Sequence, residues 1–459
     1  MITILGGGPS GLAVAFYAHR RGIPFVLYER SDELGGLCRT ESCGPHRYDT
    51  GAHRFHDRDP ATTADVRELL GEALVPVDAP SRILLDGRLV DFPPTPLNMI
   101  LACGPRAVGR IGFELARRPR GRPVRTFAEF AEANFGRTLA RRFLLDYTEK
   151  VWGLPAGELS ADVATRRLAG MTLRTLLLEL VVPSRKAAHI DGRFFYPRGG
   201  YGRIVEAIVR TLPAASIVTG REVSEIVCRD GRVAAIRFAD APEQAVEGRV
   251  VSTLPVTRLA SALGPALSAE VHDAARELRF RDVRVVFVRL TRARVSRNAS
   301  IYLPGPALWV SRVYEPKNRC ASMAPEGETG LVAEVPCSPG EASHRADDAA
   351  LAARVIAELE GSGLLRADEV LEWRHHRLSN AYPVYDVGYS ERVRTVLDGM
   401  HLVGNLDVAG RNALFFYSHL HDQMHAAREL VSSWTVEAAA GEVSRTRAGE
   451  EPRGRMAAR

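Results

Sequence analysis

The sequence predicts an α/β protein: a doubly wound, mostly parallel sheet interrupted by an inserted mixed α+β portion with an antiparallel sheet and a helical subdomain. Three observations carry the prediction. The chain opens as strand, glycine-rich turn, helix, strand. Short apolar runs of strand length return near 216–218, 250–254 and 400–403, as buried strands do. Between them, residues 284–290, 307–313 and 331–335 alternate in the manner of an antiparallel sheet.

Each element has its own signal. Ile2 to Leu5 is an apolar run expected to be a core strand rather than a leader segment, and Gly6 to Gly11 is the turn. Leu12 to Arg21 is an apolar helix stopped by Gly22, and Phe25 to Tyr28 is the second strand, ended by Glu29. Arg82 to Phe92 reads as a hairpin around Asp86-Gly87, broken by Pro93, Pro94 and Pro96. Residues 97–180 are largely helical in pattern, with breaks at Gly104-Pro105 and in the basic stretch Arg117 to Arg125. FFYPRGGYG at 194–202 reads as a glycine-rich turn before a helix from Arg203 to Leu212. Strands follow at Val223 to Cys228 and Val233 to Phe238, a helix at Ala346 to Leu359, a buried strand at Met400 to Val403 and a helix at Asp422 to Trp434. From Val436 the Ala/Gly/Glu/Arg-rich chain is expected to be disordered.

Composition narrows the class. With 46% hydrophobic and 25% charged residues over 459 positions the chain is an ordinary globular protein, not a collagen, a disordered tail or a small disulfide scaffold. No apolar stretch approaches the roughly 18 residues of a spanning helix. The net charge of +6 comes from 61 basic residues of which only Lys150, Lys186 and Lys317 are lysine. An arginine-rich composition reflects codon usage or an anionic partner such as a nucleotide or phosphate, and no nucleic-acid-binding motif accompanies it. The six cysteines are scattered without CxxC spacing, which predicts neither a bound metal nor a disulfide framework and suits the cytoplasm.

Gly6-Gly7-Gly8-Pro9-Ser10-Gly11 fits G-x-G-x-x-G between a strand and a helix. Gly6 permits the tight turn, Gly8 lets backbone approach a pyrophosphate, and Gly11 lets helix pack on strand. The pyrophosphate then sits at the helix amino end. Glu29, 18 residues after Gly11, stands where an acid receives ribose hydroxyls. A second glycine pair at Gly35-Gly36, Arg39, and the small-residue run Thr50-Gly51-Ala52 before His53 supply further approaches. Three successive early contacts favour the extended FAD over NAD.

At these segments the chain resembles the FAD-dependent amine oxidase superfamily, which includes monoamine oxidases, protoporphyrinogen oxidases, phytoene desaturases and UDP-galactopyranose mutases. LGGGPSGL, YERSDELGGLCRT, YDTGAHRFHDRDP, YTEKVWGLPAGELS, FFYPRGGYG, AYPVYDVGY and GRNALFFYSHLHDQM carry the resemblance over about residues 1–435. It implies a Rossmann-like FAD-binding domain of the GR2 type in three parts, 1–78, 194–258 and 396–435. It also implies a helical substrate or lid region at 79–193, an antiparallel-sheet substrate domain at 259–395, and a tail at 436–459. By position, Gly6, Gly8, Ser10 and Gly11 would hold the pyrophosphate, and Glu29 with Arg30 the adenosine ribose. Gly36, Leu37 and Arg39 would lie along the diphosphate and ribityl chain. Ala52, His53 and Arg54 would approach the isoalloxazine ring, and Val223 the adenine. Arg411 and Asn412 would line the flavin pocket, and Asp422, Gln423 and Met424 would open the helix aimed at the ribityl and pyrophosphate. The monoamine oxidase pattern has arginine directly after the two glycines; Leu37 stands there instead. The oxidases' covalent flavin cysteine has no counterpart, so the FAD is expected to be noncovalent.

The resemblance implies hydride transfer from a substrate to flavin N5, with a protein base taking a proton. His53, His56 and His419 are the candidate bases and Tyr417 a further catalytic candidate. Arg198, Tyr382, Tyr385, Arg411 and Tyr417 are the candidate substrate grips. Three readings stand open at this level. One is an oxidoreductase that dehydrogenates or desaturates a small sugar-like or secondary-metabolite substrate, itself nucleotide- or phosphate-bearing in one version. The second is a mutase-like isomerase of a nucleotide sugar, and the third a non-catalytic FAD-binding protein. Lys150-Val151-Trp152-Gly153, shared with the mutase-like proteins, reads as helix packing. The basic run Arg106 to Arg125 reads as a solvated helix face, with a membrane-surface patch and a docking surface for an acidic carrier or nucleotide as the alternatives. The oligomeric state has no signal.

Overall fold

A computed structural model describes residues 1–92, 104, 106–107, 109–114, 117, 123–167 and 193–449, with backbone alone at 165–167 and 435–449. The expected proline break at 93–96, much of the expected helical stretch and basic run between 97 and 192, and residues 450–459 lie outside the described residues.

The first sheet has five parallel strands in the order Leu406–Val408, Arg249–Ser252, Ile2–Leu5, Phe25–Tyr28, Ile217–Val218. Ile2–Leu5 sits at its centre and every residue of it is buried, which is why the sequence there runs apolar without alternation. The helix Pro9–Arg20 follows at once, with Pro9 in its first turn, where a missing N–H costs nothing. Ser10 to Ala18 are all buried because the terminal helix and the helix Gly202–Thr211 cover this helix from both sides. The chain makes two long excursions from the sheet, after Tyr28 and after Ser252, and a short one after Val218 through a three-stranded sheet of Val223–Arg229, Arg232–Phe238 and Gln244–Ala245. It returns from the long ones as Ile217–Val218 and Leu406–Val408.

The second long excursion builds most of a seven-stranded sheet. Its order is Val370–Pro383, Phe280–Leu290, Thr329–Cys337, Arg312–Tyr314, Ser300–Tyr302, Ser81–Leu85, Arg88–Phe92. All pairings are antiparallel except Ser300–Tyr302 with Ser81–Leu85. The expected hairpin at Asp86-Gly87 is present, both residues taking the positive φ that a tight two-residue turn needs. Sequence assigned it to the helical stretch 79–193; the fold adds it to this sheet. Beyond the hairpin come the helices Phe127–Phe135, capped by reciprocal Thr126 and Glu129 bonds, and Asp146–Trp152. No helix among the described residues is long and apolar enough to cross a membrane.

Five expectations are corrected. Arg193–Pro197, read as turn, is a strand paired with Leu74–Asp78, and the helix after it begins at Gly202. The strand expected at 307–313 shrinks to Arg312–Tyr314, because the Trp309 and Val310 N–H groups bond the Glu358 carboxylate instead of a neighbouring strand. Met400 belongs to the helix Tyr389–His401, whose buried face is Tyr389, Val396 and Met400, and the strand is Leu406–Val408. Val370–Pro383, the longest strand, was not anticipated: as an edge strand it is only partly buried and carries charge and histidine where alternation was sought. The terminal helix runs from Leu420 to Gly449, past Val436 where disorder was expected.

Candidate functional site

The glycine turn is shaped by what surrounds each glycine. Gly6 has φ +105°, and a Cβ on it would stand 2.4 Å from Thr253 Oγ1; a Cβ on Gly11 would stand 1.9 Å from the Gly6 carbonyl oxygen. A Cβ on Gly8 would meet nothing within 4 Å, so this residue presents bare backbone to open space. Gly36, with φ +51°, brings its own turn within 3.2 Å of the Gly8 Cα by the same measure. Glu29 straps the turn from behind, accepting from the Gly7 N–H at 2.6 Å and from the Ser31 N–H at 3.0 Å. In front, Ser10 donates to Gln423 Oε1 at 2.6 Å, which ties the first helix to the start of the last.

A cavity of about 410 Å³ runs from this cradle between the two sheets. Gly8, Ser10, Gly36 and Leu37 form one end, Ala52, His53, Arg54, Arg411 and Asn412 the middle. Phe92, Phe127, Phe143, Tyr147, Val163 and Tyr302 wall the far end. The cationic groups are mostly committed. Arg312 is locked to Glu334 through two arms, Nε to Oε2 at 2.9 Å and Nη2 to Oε1 at 2.8 Å, and Glu334 Oε1 also accepts from the Ala52 N–H at 2.9 Å. Arg54 bonds the hydroxyls of Ser81 and Ser300, and burial brings its pKa down to about 10. The Arg411 guanidinium lies 4.3 Å from the Tyr417 ring centre and 5.5 Å from that of Tyr382, the two rings being nearly parallel.

Histidines form another wall. His56, His419 and His421 have ring centres 5.6 to 6.3 Å apart. Burial pushes His56 down to about 3 and His419 down to about 4, and the neighbouring imidazoles push each further in the same direction. Both are neutral at pH 7. His53, stacked on Tyr201 and bonded to the Leu37 carbonyl at 2.8 Å, is also held low by burial. Asp422, although burial opposes it, is brought down to about 2 by the His421 ring 3.3 Å away and a bond from the His419 N–H. Among the described residues no group of three His, Cys, Asp or Glu could hold a metal ion.

Two features test whether FAD fits. The open space over Gly8 at a helix amino end suits a pyrophosphate. Asn412 Oδ1 is buried without a hydrogen-bond partner and asks for a donor from whatever fills the cavity. The residues fit the cofactor.

Most sequence-derived candidates gather here. Gly8, Ser10, Gly36, Leu37, Ala52 and Gln423 line the cavity, as do Arg54, Arg411 and Asn412. So do His53, His56, His419, Tyr382 and Tyr417. Gly6 and Gly11 shape the turn behind it, and Glu29 spends its carboxylate on that turn. Arg30 is exposed, and Arg39 pairs with Glu33 and Glu41. Val223 opens the three-stranded sheet, its carbonyl taken by Arg258. Met424 is fully buried in the core against the first helix. Two expected substrate grips are corrected. Arg198 is exposed and outside the cavity wall, its backbone N–H bonded to the Ala73 carbonyl. Tyr385 is buried behind the wall, where its hydroxyl accepts the Tyr417 N–H at 2.6 Å and so positions that residue. Sequence reasoning missed Arg312, Glu334, Phe143, Tyr147 and Tyr302. The register pairing Arg312 with Glu334 across two strands would have marked the ion pair.

Comparison with known proteins gives the same architecture. The reduced form of UDP-galactopyranose mutase superposes with a TM-score of 0.80 at 22% identity, over 93% of this chain and 94% of that one. A protein from Exiguobacterium assigned provisionally as a protoporphyrinogen oxidase does so at 0.76 and 19% identity, over 95% and 98%. These likenesses show the fold. Coproporphyrinogen III oxidase of Mycobacterium leprae (strain TN) is 29% identical over 231 residues, 45% of this chain and 50% of that protein. The chain spans about half the length of the curated relatives it matches. The model of the family of flavin-containing amine oxidoreductases, whose members bind FAD, matches residues 9–427, nearly the whole chain. The chain belongs to that family.

Proposed function

We propose that this protein is an FAD-dependent oxidoreductase that dehydrogenates a small organic substrate in the chamber beyond the glycine cradle, with FAD held noncovalently. The carrying observation is a single cavity that joins bare backbone at Gly8 to an apolar, aromatic end flanked by neutral imidazoles. FAD, when bound, supplies the two-electron acceptor. Gly8, Ser10, Gly36 and Gln423 would hold its diphosphate end, and Ala52, Arg54 and Asn412 its ring end. Leu37, Arg39, Glu29, Arg30, Val223, Asp422 and Met424 keep their proposed roles along the cofactor through backbone or supporting contacts.

The chain's own residues handle the substrate. Phe127, Phe143 and Tyr147 exclude water and favour a largely apolar molecule, including one of secondary-metabolite type. His419 or His56, neutral and at the cavity wall, takes the proton that leaves the substrate's heteroatom or carbon. Arg411, backed by Tyr382 and Tyr417, fixes a polar or anionic end. Cys38, at the cavity wall, is pushed up to about 12 by burial, so its thiol stays protonated, which supports a noncovalent cofactor. The scattered cysteines support a cytoplasmic setting.

The tyrosine-flanked Arg411 favours a second reading, a mutase-like isomerase that grips a nucleotide diphosphate. Anaerobic mixing of the FAD-loaded protein with candidate substrates separates the two. Bleaching of the flavin by an oxidisable substrate is the expected result. Sugar-ring isomerisation seen only after prior reduction of the protein selects the mutase reading. Neither, across a broad panel, leaves FAD binding without turnover.

A further inference from the structure

Lys150 lies outside the cavity wall, on the helix Asp146–Trp152 that carries Tyr147 and Thr148 into it. Its ammonium donates to the Leu303 carbonyl at 2.7 Å and the Val310 carbonyl at 3.2 Å. These are the two ends of a loop joining Ser300–Tyr302 to Arg312–Tyr314. The same loop is also held by a negative charge, since Glu358 accepts from the Trp309 N–H at 2.9 Å and the Val310 N–H at 3.0 Å. Val310 is thus clamped at its carbonyl by a cation and at its N–H by an anion. Tyr302, Pro304 and Arg312, at the ends of this loop, all face the cavity.

We propose that Lys150 is a positioning residue that latches the loop 303–310 against the helix bearing Tyr147, and so sets the distance between two walls of the substrate chamber. Among the described residues the ammonium has carbonyl partners and no ion pair. The charged groups facing it are few. Asp146 on its own helix is engaged by Arg141, Glu149 accepts the Ala156 N–H, and Glu358 is shared with Arg354. Arg281 bonds the Lys150 carbonyl rather than its ammonium. Burial therefore outweighs the attraction of Glu358 and Asp146 and brings the lysine down to about 8. Below that value the charge-assisted bonds close the loop; above it the neutral amine keeps weaker donors and the latch slackens.

The inference rests on reading the cavity as the substrate chamber, but its test does not require turnover. The chain has three lysines, so protein labelled with ¹³C at lysine Cε gives three signals, assigned by elimination through Lys186→Arg and Lys317→Arg. In the FAD-loaded protein the Lys150 signal is expected to titrate near pH 8. Trp309 emission should shift with the same midpoint, and the shift should vanish in Lys150→Met and in Trp309→Phe. A Lys150 signal that stays charged past pH 10, or a Trp309 transition that persists in Lys150→Met, overturns the latch. A panel of substrates that fails to bleach the flavin would remove the oxidoreductase reading and leave both of these readouts untouched.

Discussion

The cradle and the chamber are two ends of one cavity built by opposite means. The cradle is backbone: Gly6, Gly8, Gly11 and Gly36 come from the first 36 positions, and their role is the absence of side chains. The chamber is side chains, drawn from the hairpin Ser81–Phe92, from helices between 127 and 167 and from strands near 302, 312 and 334. A backbone-built site accepts one kind of ligand, because phosphate recognition by N–H groups leaves little to vary. A site walled by side chains is free to change with each substitution. The difference accounts for a cofactor that belongs to the whole family and a substrate that the fold alone does not specify.

Changes within the cradle should separate folding from binding most sharply. Gly11→Val places a side chain against the Gly6 carbonyl and should abolish soluble, folded protein. Gly8→Leu has ordinary backbone angles and open space, so circular dichroism should match the parent while FAD is lost. In the chamber, Glu334→Ala leaves the Arg312 guanidinium buried and unpaired. It should lower unfolding free energy in denaturant titration by about 3–5 kcal/mol. A loss well under 1 kcal/mol would show that water reaches this pair, and that the chamber is wetter than its walls suggest.

The histidine wall predicts acid sensitivity. His56 and His419 titrate at about 3 and about 4 in the folded protein and near the ordinary 6.5 when unfolded, so the unfolded chain takes up protons first as pH falls. They cost no stability above 6.5, and a penalty grows as pH falls from there to about 4 for His419 and about 3 for His56. His419→Phe should make the melting temperature less dependent on pH across that window, and an unchanged slope would place the imidazole in water. The smallest effect belongs to Asp422, half-exposed at the start of the last helix. Asp422→Asn should cost about 0.3–1 kcal/mol at pH 7. That cost should disappear as pH falls from about 4 to about 2, where the native carboxylate itself is protonated.

The same contrast explains what sequence alone made legible. The glycine fingerprint is local: each residue's task follows from its place between a strand and a helix, and the turn so read is there but closes at Gly8, with Pro9 to Gly11 already in the helix. The last helix was legible in the pattern, while the cofactor roles of Gln423 at its start and of the Arg411-Asn412 pair came through the family resemblance, and all three residues line the cavity. The chamber resisted because its parts are far apart in sequence. Arg312 and Glu334 meet only through the register of two strands, and the Trp309-Val310 segment looked like a strand until Glu358 claimed its N–H groups. Tyr385 and Arg198 show the remaining weakness, since residue type suggested a grip on substrate while only packing reveals which way each side chain faces.

The most direct test of the account is the FAD content and visible absorbance of the purified protein beside those of Gly8→Leu. The parent should be yellow and carry stoichiometric FAD that denaturation releases, and the variant should be equally folded, colourless and beyond reconstitution with added FAD. A variant that holds FAD as the parent does, or a folded parent that never takes it up, would contradict the placement of the cofactor over Gly8.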